Sequence, residues 1–281
     1  MTEGKVTANG IALHYVRDGQ GMPMMIIGWS GYGQMFSNRF RQHFDIVCHD
    51  CRHYVLSYTA TPDELQALTL ETFVDEAEAV RSALSLEKVA LLGHSVHAQL
   101  ALSYAVKYPQ HVSRLVLVCG VPFSMAELAP LQEEYWQSHA SERRKAIFTR
   151  DQQAYAEEYE NASPDEQFTI FYLMNTAKYW ADPEYPARSL LSQIRTGVAL
   201  DQLFSQVPTR EQVRARLESL PVPCLVVTGG QDYVCVATAW KELTVGLSGI
   251  VYRCIEESGH NPQTEHPEQF DSVLLDYFAL K

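Results

Sequence analysis

No stretch of this 281-residue chain holds the roughly 20 consecutive apolar residues that a membrane-spanning helix requires, so no spanning helix is expected. Basic residues are scarce: 22 Lys and Arg stand against 34 Asp and Glu, a formal net charge of −12. That balance repels a phosphate backbone and an anionic lipid surface alike, so neither nucleic acid nor a membrane is an expected partner. The first residues, MTEGKVTANGIALHY, lack an apolar run after a basic start. No secretory leader is expected there, and a cytoplasmic location is. The six cysteines, at 48, 51, 119, 224, 235 and 254, form only one C-x-x-C, Cys48 and Cys51, with His49 and His53 beside it. A metal or redox role calls for a second pair or for regularly spaced ligands. Cys48 instead closes the apolar run FDIVCHD, where a buried free thiol is the ordinary case. Reduced cysteines and no metal are therefore expected. A glycine-rich dinucleotide fingerprint is missing too, and no cofactor is implied. Repeats and low-complexity tracts are absent, and nothing signals an oligomeric state.

What the chain does have is a rhythm. KVTANGIALHYVRDG places Asn9-Gly10 between two alternating runs, the pattern of a β-hairpin. PMMIIG and FDIVCHD are short apolar runs suited to strands buried on both faces. LTLETFVDEAEAVRSALSL sets Phe73, Ala77, Val80 and Leu84 at helical spacing. KVALLG, AQLALSYAVKYP and VSRLVLVCG then repeat strand, helix, strand, which predicts a mostly parallel sheet covered by helices. From 121 to 220 the sequence is helical and aromatic-rich, with SPDE and ADPEYPA as breaks. Strand patterns resume in PCLVVTGGQD and GIVYRCIEESGH, and PEQFDSVLLDYFAL closes the chain as a helix. The expected organisation is an α/β core, 1–120 and 221–281, interrupted by a helical cap, 121–220.

Three polar residues stand at the carboxyl ends of predicted strands. Ser95 follows VALLG, Asp232 follows CLVVTGG and His260 follows VYRCIEESG. Loops and helix N-termini gather at that edge of a parallel sheet, so ligands bind there. A serine hydroxyl is a poor nucleophile until a histidine takes its proton. The histidine in turn needs a carboxylate to fix its tautomer. Ser95 alone could serve as a helix N-cap, and Asp232 as a turn residue after Gly229-Gly230. The order Ser, Asp, His favours the catalytic reading. The strand VSRLVLVCG offers no competing carboxylate before Glu127, and His266, just before Pro267, looks structural.

Together, GHSVHA, TGGQD and SGHNPQTEHPEQF make the chain resemble the α/β-hydrolase superfamily, in the capped branch that includes proline iminopeptidases and esterases. The resemblance spans nearly the whole chain. It implies an α/β-hydrolase fold with Ser95 as nucleophile, Asp232 as acid and His260 as base. An oxyanion hole is also required. One donor should be the N–H of Val96, and the other should come from the loop GWSGYG, with Ser30 N–H expected and Trp29 N–H as the fallback.

Two departures stand out. The nucleophile pattern G-x-S-x-G has Gly93 but His97 in place of its second glycine. The stretch that the family writes D-x-R-G-x-G-x-S reads DCRHYVLS here: Arg52 and Ser57 match, while His53 and Val55 replace glycines. We expect the two glycine-poor loops to meet and repack near the elbow, with Ser95 at strained backbone angles. His94 and His97 read more readily as structural than as proton carriers.

The cap should roof the site. Among its aromatics, Trp136, Phe171, Tyr172 and Trp180 are the candidate substrate contacts. They favour a small, partly apolar carboxylic ester or lactone, cleaved through an acyl-enzyme. Glu133, Glu134, Glu157 and Glu158 could instead meet an amine, as in a proline iminopeptidase-like aminopeptidase. However, GWSGYG lacks that branch's H-G-G-P-G. A cofactor-free dioxygenase using the His/Asp pair and a small-ligand receptor with weak hydrolysis are the remaining alternatives.

Overall fold

The computed structural model describes residues 1–280. Asn9 and Gly10 take φ of 49° and 77°, the positive angles that a tight two-residue hairpin needs, and join β1 (Thr2–Ala8) to β2 (Ile11–Gly19). The apolar runs then become β3 (Met22–Gly28), β4 (Phe44–Asp50), β5 (Val89–His94), β6 (Val112–Val118), β7 (Cys224–Gly229) and β8 (Ile250–Ile255). They form one sheet in the order β1-β2-β4-β3-β5-β6-β7-β8. β2 pairs antiparallel with β1 and β4, and every other pairing is parallel.

Parallel pairing needs crossovers, and helices supply most of them. They include α1 (Leu70–Ala83) before β5, α2 (His97–Lys107) between β5 and β6, and, later, α7 (Ala237–Thr244) between β7 and β8. Because side chains alternate along a strand, each apolar run feeds two cores. Met25, Ile27, Leu91, Leu115, Leu117 and Val226 face one, together with Phe73, Ala77, Leu100 and Trp240 of the covering helices. Met24, Ile26, Leu92, Val116 and Val227 face the other, where Phe40 and Phe44 meet Phe270 and Leu274 of the closing helix α8 (Pro267–Phe278).

Between β6 and β7 the described residues form helices alone, including α3 (Met125–His139), α4 (Glu142–Ala154) and α5 (Pro164–Met174). This insertion has a small core of its own around Tyr172, Leu173 and Trp180, and a second cluster, around Trp136 and Ile147, closes on Tyr233 of the loop after β7. The insertion's last part packs differently from the expected boundary at 220. Ala199, Leu203 and Val207, with Val213 and Leu217 of α6 (Arg210–Glu218), are buried in the main core, and α6 packs on α2 and α7. No helix among the described residues is long and apolar enough to cross a membrane.

Candidate active site

β5 ends at His94 and α2 begins at His97, so the chain reverses within two residues. Ser95 takes φ of 56°, a left-handed conformation that costs a serine on the order of 1–3 kcal/mol. Neighbouring backbone holds it there. Its N–H donates to Val118 O and its carbonyl accepts from Ala98 N and Val121 N, each at 3.1 Å. A Cβ on Gly93 would lie 2.5 Å from His97 O and 2.8 Å from Ala98 Cα, so glycine is required by space at that position. His97 occupies room kept open by another glycine: a Cβ on Gly28 would meet the Tyr32 ring at 2.9 Å and His97 Nδ1 at 3.2 Å.

The two glycine-poor loops do meet. His53 Nε2 and His97 Nε2 lie 3.1 Å apart, with ring planes only 15° from parallel. Burial lowers the pKa of His97 to about 4 and that of His53 well below its usual value. The pair is therefore neutral, one ring donating and the other accepting. Arg52 of the same loop pairs with buried Glu76 and donates to Tyr58 Oη at 3.1 Å, a structural role.

His260 Nδ1 stands 2.7 Å from Asp232 Oδ2. Asp232 Oδ1 accepts the N–H groups of Val234 and Cys235, both at 2.8 Å, so the carboxylate is an acceptor on both oxygens. The ring donates through Nδ1, the tautomer whose Nε2 is an acceptor, and His260 Nε2 is buried without a protein partner. The loop carrying His260 is tied down by Glu265. Its carboxylate accepts the N–H groups of Asn261 at 2.9 Å, Gly259 at 3.2 Å and Ala181 at 2.7 Å. His260 N–H also donates to Tyr179 O at 2.6 Å, which ties this loop to the insertion. A Cβ on Gly259 would come within 2.4 Å of that same oxygen.

His94 braces the other side. Its Nε2 donates to the carbonyl of His260 at 2.8 Å, so a neutral ring has Nδ1 free to accept Tyr32 Oη–H, also at 2.8 Å. Burial depresses the His94 pKa well below its usual value and keeps the ring neutral.

The N–H groups near Ser95 depart from expectation. Ser30 N–H donates to Asp50 Oδ1 at 2.7 Å and is not free to bind an oxyanion. Trp29 and Val96, which line the cavity with Ser95, have backbone N–H groups that make no protein hydrogen bond. They follow β3 and β5, adjacent strands from which the chain winds in opposite directions, the switch point where parallel sheets bind ligands.

Ser95, His260, Trp29, Val96 and His97 share a cavity of about 60 Å³, closed from the insertion side by Phe168, Tyr172, Trp180, Leu191 and Ile194. Of the four expected substrate contacts, Tyr172 and Trp180 line it. Trp136 does not: it packs edge-on at 5.1 Å to Tyr233 of the loop after β7, in a small core where the insertion meets that loop. Phe171 faces outward, 45% exposed, on an outer groove of about 960 Å³. Phe168, Leu200 and Phe204 belong to both spaces and form the partition between them. A separate polar groove of about 600 Å³ runs along Glu157, Glu158, Arg188 and Arg195, and none of the site residues lines it. His266 accordingly lies outside the cavity, its Nε2 donating to Glu257 O at 3.0 Å. The sequence reading missed Glu265, Asp50, Tyr32 and Asn261. Asp50 closes a strand and Tyr32 lies in the expected oxyanion loop, whereas Asn261 and Glu265 sit in a polar stretch; nothing in the residue pattern of any of them names its partner.

Residues 20–267 match the α/β hydrolase fold family. The chain is 29% identical over 269 residues to the AB hydrolase superfamily protein YclE of Bacillus subtilis, covering 94% of each chain. It is 25% identical over 293 residues to 2-hydroxymuconate semialdehyde hydrolase of Pseudomonas sp., covering 98% of this chain and 93% of that one. Among solved structures, a hydrolase from Pseudomonas aeruginosa PA01 superimposes with a TM-score of 0.71 at 18% identity, over 98% of both chains.

Proposed function

The chain belongs to the α/β-hydrolase fold family, and on that footing we propose that it is a serine hydrolase cleaving a small, partly apolar carboxylic ester or lactone through an acyl-enzyme. One observation carries the reading. Ser95 sits on a strained turn in the same cavity as His260, whose Nε2 is unpartnered while its Nδ1 is held by Asp232. In the proposed reaction His260 Nε2 takes the Ser95 proton as Oγ attacks the carbonyl carbon. The imidazolium is stabilised by Asp232, and the oxyanion is received by Val96 N–H and Trp29 N–H. Collapse expels the alkoxide, which takes the proton from His260. Water, activated by the same nitrogen, then releases the acid and restores Ser95.

The cavity also bears on substrate. At about 60 Å³, beside single-water spaces of roughly 10–15 Å³, it admits a short acyl group. No carboxylate lines it, and Glu158 is paired with Arg188 on the insertion's outer side. That disfavours recognition of a free amine, and with it the aminopeptidase reading of the proline iminopeptidase type. The similarity to 2-hydroxymuconate semialdehyde hydrolase, a relative named for a small organic substrate, supports that reading.

The test is labelling with a fluorophosphonate probe. Labelling that requires the folded protein, Ser95 and His260 is the expected result. If the folded wild type is not labelled by a probe small enough to enter, the serine-hydrolase reading fails. Oxygen uptake or ligand-dependent thermal stabilisation would then point to a cofactor-free dioxygenase or a receptor.

A further inference from the structure

The C-x-x-C of the sequence does not form a paired site, because its two thiols enter different cores. Cys48 packs with Phe40 and Phe44 on one side of the sheet, and Cys51 packs with Phe73 and Val96 on the other. On that second side Cys51 meets a different set. Its sulfur and one ring nitrogen each from His53 and His97 all lie within 4.8 Å of one another. All three side chains are buried, and the Nδ1 atoms of both histidines have no protein partner.

We propose that Cys51, His53 and His97 form a binding site for one thiophilic monovalent cation, Cu⁺, beside the Ser95 turn. The donor set suits it: a thiolate and two imidazoles are soft-to-borderline ligands, the kind that select Cu⁺ or Zn²⁺ over harder ions. The spacing suits it as well. Two nitrogens bound at about 2.0–2.1 Å to one ion stand about 3.3–3.6 Å apart for bond angles between tetrahedral and trigonal. The His53 and His97 Nε2 atoms are already at 3.1 Å, so a few tenths of an ångström of separation admits the ion in place of the proton they now share.

Charge decides between the two metals. Cu⁺ with one thiolate is neutral overall, whereas Zn²⁺ leaves a net positive charge among apolar side chains. The neighbouring Arg52 and Glu76 are already paired with each other. Three ligands without a fourth also match a low-coordinate monovalent ion better than a closed tetrahedral zinc site. Binding is balanced in protons. The Cys51 thiol releases one proton to solvent as the S–Cu bond forms, and each imidazole keeps its single proton, carried on the unpartnered Nδ1. Of the three ligands, His97 lines the cavity that holds Ser95.

The experiment is anaerobic titration of the intact protein with Cu⁺ buffered by a chromogenic chelator, read both by chelator competition and by thiolate-to-copper charge-transfer absorbance in the ultraviolet. Wild type should take up one equivalent with that absorbance, and Zn²⁺ at equal concentration should not displace it. Cys51→Ser and His53→Gln should each weaken uptake at least a hundredfold while melting as cooperatively as wild type. Cys119→Ser, which alters the thiol near Asp232 and His260, should leave uptake unchanged. Uptake that survives Cys51→Ser, or is lost only in Cys119→Ser, overturns the assignment. So does a wild type that binds no Cu⁺ or that prefers Zn²⁺. Should Cys51→Ser fail to fold, His53→Gln and His97→Gln decide in its place, since uptake that survives both overturns the assignment. None of these readouts depends on hydrolysis, so they stand or fall apart from the labelling of Ser95.

Discussion

His53 and His97 face each other through their Nε2 atoms, 3.1 Å apart, under the turn that carries Ser95. The two residues come from different loops, and each stands where the family's pattern has glycine. A lone histidine at either place would lack a protein partner on Nε2 as well as on Nδ1, whereas two supply each other's Nε2 partner. This reciprocity explains how the elbow tolerates a side chain at position 97. The ring fills the space beside Gly28 and is anchored on the far side by the other substitution.

It follows that the two histidines are energetically coupled. His97→Ala and His53→Ala should each destabilise the protein by about 2–4 kcal/mol, through lost packing and a stranded buried nitrogen. The double variant should cost less than the sum, with a coupling of about 1–2 kcal/mol. Urea denaturation of the four proteins measures this, and strict additivity would refute the pairing.

Asp232 accepts from two backbone N–H groups on one oxygen and faces His260 with the other. Asp232→Asn keeps the size and leaves one oxygen for the backbone, but it turns an amide N–H toward Nδ1. The ring must then protonate Nε2 and can no longer act as a base. Turnover of an ester substrate should fall by about 10⁴-fold, with near-wild-type stability. A loss under tenfold in steady-state kinetics would remove Asp232 from the proposed mechanism.

How far the sequence led depends on what kind of signal each feature leaves. Ser95, Asp232 and His260 were legible because each follows an apolar run, and the carboxyl ends of parallel strands gather at one edge. The commitment of Ser30 N–H was not, because its acceptor, Asp50, lies at the end of a different strand and only the parallel pairing of β3 with β4 brings them together. Trp136 and Phe171 were misjudged as cavity walls for another reason. An aromatic stripe tells that a helix face is buried, not which neighbour buries it, and Tyr233 claims Trp136. The end of the cap was obscured in the same way, since helical spacing in α6 is equally consistent with packing on the insertion or on α2.

The bond from Ser30 N–H to Asp50 carries its own consequence. It fixes the loop that carries Trp29, a cavity-lining residue whose N–H the proposed mechanism aims at the oxyanion. Asp50→Ala should loosen that aim and lower kcat by about 10²-fold while changing KM little, because an oxyanion donor acts mainly in the transition state. If Ser30 N–H were itself the donor, freeing it from Asp50 would preserve or raise kcat. The kinetic constants of the purified variant discriminate between the two.

His94 makes stability depend on pH, with a sign that can be worked out. In the folded protein burial holds its pKa well below the usual 6.5, and the ring donates to His260 O while accepting from Tyr32 Oη. Above about pH 6.5 the ring is neutral in both folded and unfolded chains, and it contributes no slope. As pH falls below 6.5 the unfolded chain binds a proton that the folded protein refuses. Unfolding therefore becomes easier, by about 1.4 kcal/mol per pH unit for this one group. His94→Gln removes the titration yet retains both contacts, its amide N–H donating to the His260 carbonyl and its amide oxygen accepting from Tyr32. The variant should be less stable than wild type at pH 7.5, where the better-fitted imidazole prevails, and should lose stability less steeply between pH 6.5 and 5. Other groups that titrate in this range, buried His49 among them with its pKa lowered to about 4, are common to both proteins, so the difference in slope isolates His94. Urea denaturation at pH 7.5, 6.5, 5.8 and 5.0 gives that difference, and parallel curves for the two proteins would mean that His94 is already free to take up a proton in the folded state.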